Sequence, residues 1–211
     1  MAVRLREEGM AAMIPVQEVP APESFDKAVR QKGVKFLQQI GAVMEQPLPE
    51  GTRLEPYWRA CLDDLHRAYH GVCAYLCVYV ERITGGVSVD HFIAKSQKAG
   101  LAYEWSNYRL ACTTMNSRKR DYDDALDPFA ILDDWFRLEL VSGRIYANSE
   151  SHPDVQRQVT DTIRRLGLDD GGCREMRARH FQEYREGLYT ADFLKRRSPF
   201  VWYEANRQGL L

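Results

Sequence analysis

Apolar residues recur at helical spacing from Phe25 to Ile40 (FDKAVRQKGVKFLQQI), with Gly33 as a weak point inside the run. Three prolines and a glycine between Glu45 and Pro56 then read as a loop. Pro56 opens a second predicted helix through roughly His70, with Trp58, Cys61, Leu62, Leu65 and Tyr69 as its apolar stripe. The stretch Cys73 to Val80 is apolar and β-branched at its end, so a strand and the tail of a buried helix both fit it. After a Gly85-Gly86 turn, Val87 to Phe92 (VSVDHF) alternates apolar and polar, which predicts a short strand. Residues 94–105 read as a loop and Tyr108 to Cys112 as a short apolar segment. Thr113 and Thr114 offer N-cap hydroxyls to a helix running through Arg118 to about Leu126. Beyond Pro128 the pattern predicts a helix to Leu140, a turn at Ser142-Gly143, a short strand at RIYA, a helix His152–Leu166 and a helix Cys173–Leu188. The first 24 residues, punctuated by Pro15, Pro20 and Pro22, predict loose structure, and Met13 is an alternative start.

This order predicts an α+β chain, mostly helical, divided at 1–55 (an extension with one helix), 56–127 (a small mixed core) and 128–211 (a helical scaffold). A length of 211 residues, 45% of them hydrophobic and 28% charged, suits a packed soluble domain. The most apolar stretch, Val72 to Val80, is too short to span a bilayer, and no apolar leader follows the basic N-terminus. A cytoplasmic protein is expected. The cysteines at 61, 73, 77, 112 and 173 are odd in number and scattered, which argues for thiols or metal ligands over a disulfide framework. Net charge is −1, so any affinity for nucleic acid has to be local. Arg118, Lys119 and Arg120 are consecutive, and Lys95 and Arg109 lie nearby in sequence, a local patch that suits phosphate contact; a solvated helix face is the commoner meaning of such a run. His66 and His70 lack the glutamate of a metalloprotease helix, and no glycine-rich loop cradles a nucleotide.

One constellation suggests chemistry. Hydrolysing a phosphodiester needs an activated water, neutralised charge on the phosphorane and a stabilised leaving oxygen, which one divalent ion and one histidine base can supply. Magnesium keeps several waters and takes one or two oxygen ligands from protein. Asp90 and Asn116 fit that demand from a strand end and a helix start, with His91 beside them as the base. Adjacent strand residues face opposite ways, so Asp90 and His91 share a site only where the strand bends or ends. Asn107, between them in sequence, suits a structural role, its amide tying loop backbone together to hold His91.

Read together, VDHFIAKS, WSNYRLAC and MNSRKRD resemble the signature of the HNH endonucleases in their HNN form. The resemblance covers about Pro56 to Arg120. It implies a ββα-metal core holding Mg²⁺ or Mn²⁺ on Asp90 and Asn116, with His91 as general base and Asn107 as the middle asparagine. Arg118, Lys119, Arg120 and Lys95 are the expected DNA contacts. The DPF word, the helix ending LGL and the early prolines are further similar to the HNH subunit of Septu-type antiphage systems, including retron-associated ones. That implies an effector nuclease under the control of a partner ATPase. The acidic-aromatic segments Asp133–Trp135, Phe181–Tyr184 and Pro199–Tyr203 are a candidate docking surface, or ordinary core with a solvated rim. Many relatives hold a structural zinc on two cysteine pairs. Here Cys73, Cys77 and Cys112 remain and Met115 stands at the fourth place, so a vestigial site is expected, without structural Zn²⁺. DNA against RNA stays open, as does a catalytically silent module that binds nucleic acid or a partner through the same finger.

Overall fold

The computed structural model describes residues 16–84 and 86–211. The expectations for the N-terminal leader, Met13 and Gly85 fall outside these residues. Helical residues make up 46% of the described residues, against two small antiparallel sheets, an α+β architecture. Among the described residues no helix is long and apolar enough to cross a membrane.

The first predicted helix is α1 (Glu23–Phe25), a π-helical turn Asp26–Arg30 and α2 (Gln31–Gln39) in succession. Gly33 is no weakness in it: a Cβ there would lie 2.0 Å from Cγ of Tyr103, so the helix uses the glycine for close approach. The second expected helix divides into a 3₁₀ turn Tyr57–Cys61 and α3 (Leu62–Ala68). The stretch 73–80 is neither strand nor helix. It is a turn closed by a single bridge, Val72 with Tyr79, and Cys77 sits at φ 59°. Its Ala74 amide donates to the Leu110 carbonyl at 2.8 Å, fastening the turn to the next sheet.

The strands β1 (Val87–His91) and β2 (Tyr108–Cys112) pair antiparallel with Val89 opposite Leu110 and Asp90 opposite Arg109. The connecting loop carries 3₁₀ turns at Ala99–Tyr103 and Trp105–Asn107, and α4 (Thr113–Lys119) follows directly. Cys112 takes the N-cap position expected of Thr113 or Thr114, which lie inside the first turn. The helix stops seven residues short of Leu126 because Arg120 adopts φ 52°, ψ −131°. Downstream, Asp127 accepts two hydrogen bonds from Arg109, at 2.8 and 2.7 Å, and holds the chain in a turn.

The predicted helix Pro128–Leu140 is absent. Asp134 has φ 68°, and Phe136 and Leu138 bury alternate side chains as β3 (Phe136–Leu138) against β4 (Ile145–Ala147), a period of two rather than 3.6. Then come α5 (Pro153–Leu166), α6 (Gly171–Arg185), α7 (Ala191–Arg197) and α8 (Pro199–Arg207). Proline at N1 starts α5, and Gly167 at φ 58° ends it. Thr190 Oγ1 accepts from the Phe193 amide to start α7.

Two apolar clusters enclose the β1–β2 hairpin. One gathers Phe25, Val29, Leu37, Leu65, Tyr103 and Trp105 against Val87, Val89, Tyr108 and Leu110. The other packs Cys73, Cys77, Ala111 and Met115 against Phe136, Val159, Leu166, Phe200 and other C-terminal residues. The first cluster draws on residues either side of position 55, and the second on residues either side of position 127. Of the proposed docking segments, Phe181, Phe200 and Val201 are core, and Asp133 and Asp134 form the exposed rim.

Candidate functional site

The hairpin register decides which side chains meet. Val87, Val89 and His91 share one face of β1 with Tyr108 and Leu110 of β2. Ser88 and Asp90 lie on the other face, beside Arg109 and Ala111, and that face is crossed by α4. Asn116 and Lys119, three residues apart, occupy one side of α4 and both reach β1. Nδ2 of Asn116 donates to Ser88 Oγ at 3.1 Å and to the Val89 carbonyl at 3.3 Å. A carbonyl can only accept, so this bond fixes which end of the amide is which. Asp90 is 2% exposed, and its Oδ2 accepts from the Tyr75 hydroxyl at 2.5 Å and lies 3.8 Å from Lys119 Nζ. Oδ1 of Asp90 and Oδ1 of Asn116 are left uncommitted among the described residues. Burial pushes the Asp90 carboxyl upward in pKa, against the pull of Lys119 and the Tyr75 hydrogen bond.

His91 stands on the opposite face, at the last position of the strand. Its ring packs edge-on to Trp58 at 4.9 Å and to Tyr108 at 5.0 Å. Nε2 lies 2.9 Å from the Ala102 carbonyl, which requires the proton on Nε2 and leaves the lone pair on Nδ1. Burial, reinforced by the charge of Lys95, lowers its pKa to about 3, so the ring is neutral at pH 7. Lys95 hangs over the Trp58 ring at 4.6 Å. Burial lowers its own pKa, with Asp90 opposing, so this half-buried ammonium lies within the field of both Asp90 and His91.

Asn107 ties loop backbone together through its side-chain amide. It is 4% exposed, accepts from the Ile93 amide at 2.8 Å, and donates to the carbonyls of Ile93 at 2.9 Å and Leu101 at 3.1 Å. It thereby staples the start of the loop to the 3₁₀ turn whose next residue, Ala102, holds the His91 ring.

The basic run is divided. Arg118 turns away from the hairpin, donates to the carbonyls of Leu166 and Gly167 at 2.9 Å each, and pairs with Asp170. It caps the C-terminus of α5, where cationic donors satisfy the last carbonyls. Lys119 is fully buried, with Nζ at 2.7 Å from the Phe92 carbonyl and 3.4 Å from that of His91. Lys119, with no exposed surface, is not placed to touch a flanking phosphate as expected of it, while the Arg118 side chain, 34% exposed, is engaged by the α5 carbonyls and Asp170. Arg120 is exposed.

Of the expected zinc remnants, Cys73 and Cys112 come together. The Cys112 amide donates to Cys73 Sγ at 3.3 Å, and hydrogen bonding from Cys73 lowers the Cys112 thiol pKa. Met115 is buried beside them. Among the described residues no three of His, Cys, Asp and Glu gather around a common point. The donors that fit a hard cation are the two uncommitted Oδ1 oxygens of Asp90 and Asn116.

The residues that sequence reasoning missed are Tyr75, Trp58 and the Arg109–Asp127 pair. Tyr75 and Trp58 read as core aromatics, and nothing local marks Arg109 as the partner of a residue 18 positions away. No family model matches the chain, and no curated protein does either.

Proposed function

We propose that the chain is an HNH-type endonuclease that hydrolyses phosphodiester bonds of DNA with one divalent metal ion. The observation that carries this reading is that β1 and α4 bring Asp90 and Asn116 to the same face of the hairpin, each with its Oδ1 uncommitted among the described residues, while His91, the next residue after Asp90, ends the strand with its Nδ1 lone pair free of the Ala102 bond. Asp90 and Asn116 would hold Mg²⁺ or Mn²⁺, which when bound supplies Lewis-acid stabilisation of phosphorane and leaving-group charge.

The remaining work falls to side chains. His91 takes the proton of the attacking water on Nδ1 while Nε2–H stays on the Ala102 carbonyl, so the ring keeps its orientation as it becomes charged. Trp58 and Tyr108 confine that ring to one plane. A free-state pKa of about 3 makes His91 a weak base. A phosphodiester anion arriving beside Lys95 offsets the lysine charge and raises the basicity of the ring. Lys95 and Arg120 are the phosphate contacts of this reading. The resemblance to Septu-type subunits would make the chain the nuclease of an antiphage complex gated by an ATPase.

The test is cleavage of supercoiled plasmid by the purified chain with Mg²⁺, Mn²⁺ or EDTA, beside His91→Ala and Asn116→Ala. Nicking or linearisation that needs a divalent ion and is lost in both folded variants is the expected result. Cleavage that persists in His91→Ala removes the base assignment. An inert wild type, alone and with a cognate ATPase, favours the silent binding module.

A further inference from the structure

We propose that Lys119 is a positioning residue whose ammonium turns the end of β1, so that Asp90 and His91 can serve one centre. The inference rests on the nuclease reading and deepens it.

A lysine with no exposed surface is rare, because desolvating an ammonium is costly unless every donor finds an acceptor. Here the acceptors all belong to three consecutive residues. Nζ lies 2.7 Å from the Phe92 carbonyl, 3.4 Å from the His91 carbonyl and 3.8 Å from Asp90 Oδ2, and it sits 5.1 Å from the centre of the Phe92 ring. Along a regular strand successive carbonyls point to opposite edges. Two consecutive carbonyls directed at one cation therefore mean that the backbone leaves extended geometry there, and the chain bends at Phe92 and Ile93. Asp90 and His91 leave β1 on opposite faces, so a bend immediately after them is what a shared centre requires.

Lys119 also completes a two-point clasp. Asn116 grips Ser88 and Val89, and Lys119, one turn on, grips residues 90–92. The register of α4 on β1 is thereby set at both ends of the candidate metal ligands. A methionine would fill the same volume, so packing alone does not call for a charge.

The experiment uses the full chain as wild type, Lys119→Met and Lys119→Arg, with Mn²⁺-dependent plasmid cleavage measured across ionic strength. It adds backbone carbonyl ¹³C shifts for residues 90–93 and a thermal melt. A displacement of about 1 Å in a reacting group costs on the order of 100-fold in rate, so Lys119→Met should lose about that much kcat. KM and its salt dependence should stay within twofold, and Lys119→Arg should recover at least tenfold over the methionine variant. The His91 and Phe92 carbonyl shifts should move in Lys119→Met. A raised KM with a salt slope smaller by about one and unchanged kcat would mean a phosphate contact and overturn the proposal. Unmoved carbonyl shifts would overturn it as well. If no protein, wild type included, cuts DNA either alone or with a cognate ATPase, the nuclease reading fails, and the carbonyl shifts alone decide the clasp. If the methionine variant does not fold, the arginine variant decides: lower kcat at unchanged KM with shifted carbonyls supports positioning, and the reverse pattern refutes it.

Discussion

Replacing Asn107 by alanine removes a side chain that makes three hydrogen bonds from a 4% exposed position. The substitution strands one amide and two carbonyls. Ile93, which contributes two of these groups, is 38% exposed, so water can reach them once the loop swings outward. Each bond is then worth about 1 kcal/mol rather than the full desolvation penalty, for a total of about 3 kcal/mol. In a chain of this length that lowers Tm by about 6–12 °C. Asn107→Asp should be no better, because a carboxylate oxygen would face the carbonyls of Ile93 and Leu101 in place of an N–H donor. Urea denaturation of the three proteins measures this, with a shifted midpoint at constant slope as the sign of a native-state effect. The activity consequence is separable. A domain with about 5–15 kcal/mol of stability remains folded after losing 3, so a large fall in kcat would reflect a misplaced Ala102 carbonyl and His91 ring. A loss below about 1 kcal/mol, or an aspartate variant as stable as wild type, would refute the reasoning.

Gly33→Ala adds helix propensity of about 1 kcal/mol but drives a methyl into the Tyr103 ring, and overpacking of this kind costs about 1–3 kcal/mol. The net expectation is destabilisation, and a variant that melts higher than wild type contradicts the contact. Arg109→Ala leaves Asp127 without its bidentate partner and should destabilise by about 3–5 kcal/mol. Arg109→Lys should recover little of that, since one ammonium cannot replace the fork that also reaches the Ser106 carbonyl; denaturant midpoints distinguish the three. His180 is buried against Ser198, and burial lowers its pKa to about 4, so the native state keeps it neutral while the unfolded chain protonates near 6.5. Its contribution is complete above the unfolded pKa and is lost as pH falls toward 4, amounting to about 2 kcal/mol between pH 7 and pH 5. His180→Gln should flatten that part of the stability–pH curve, and an unchanged slope would place the titration elsewhere.

Local pattern carries information where a residue's partners are near in sequence. The alternation in VSVDHF, the proline that starts α5 and the glycine that ends it all act within a few residues, and those elements form where the spacing puts them. Asn107 belongs with them, since its partners at 93 and 101 lie in the loop it closes. The errors come where a distant partner overrides propensity. The helix after Asn116 ends early at Arg120, and the chain beyond it is held by Arg109 through Asp127. The expected helix at 128–140 instead yields a strand, because β4 offers it a ladder and a buried face. Lys119 shows the same limit within the candidate site. A basic run after an asparagine reads as a solvent-facing surface, since sequence records charge but not direction. Which way α4 is rolled is set by Met115 packing into the C-terminal cluster and by Asn116 gripping β1. That roll exposes Arg120, spends Arg118 on the end of α5 and buries Lys119. Sequence thus determined which groups are present and the order strand, loop, strand, helix in which they occur. Tertiary structure decided which faces meet, because side-chain direction depends on packing between segments that no local periodicity connects.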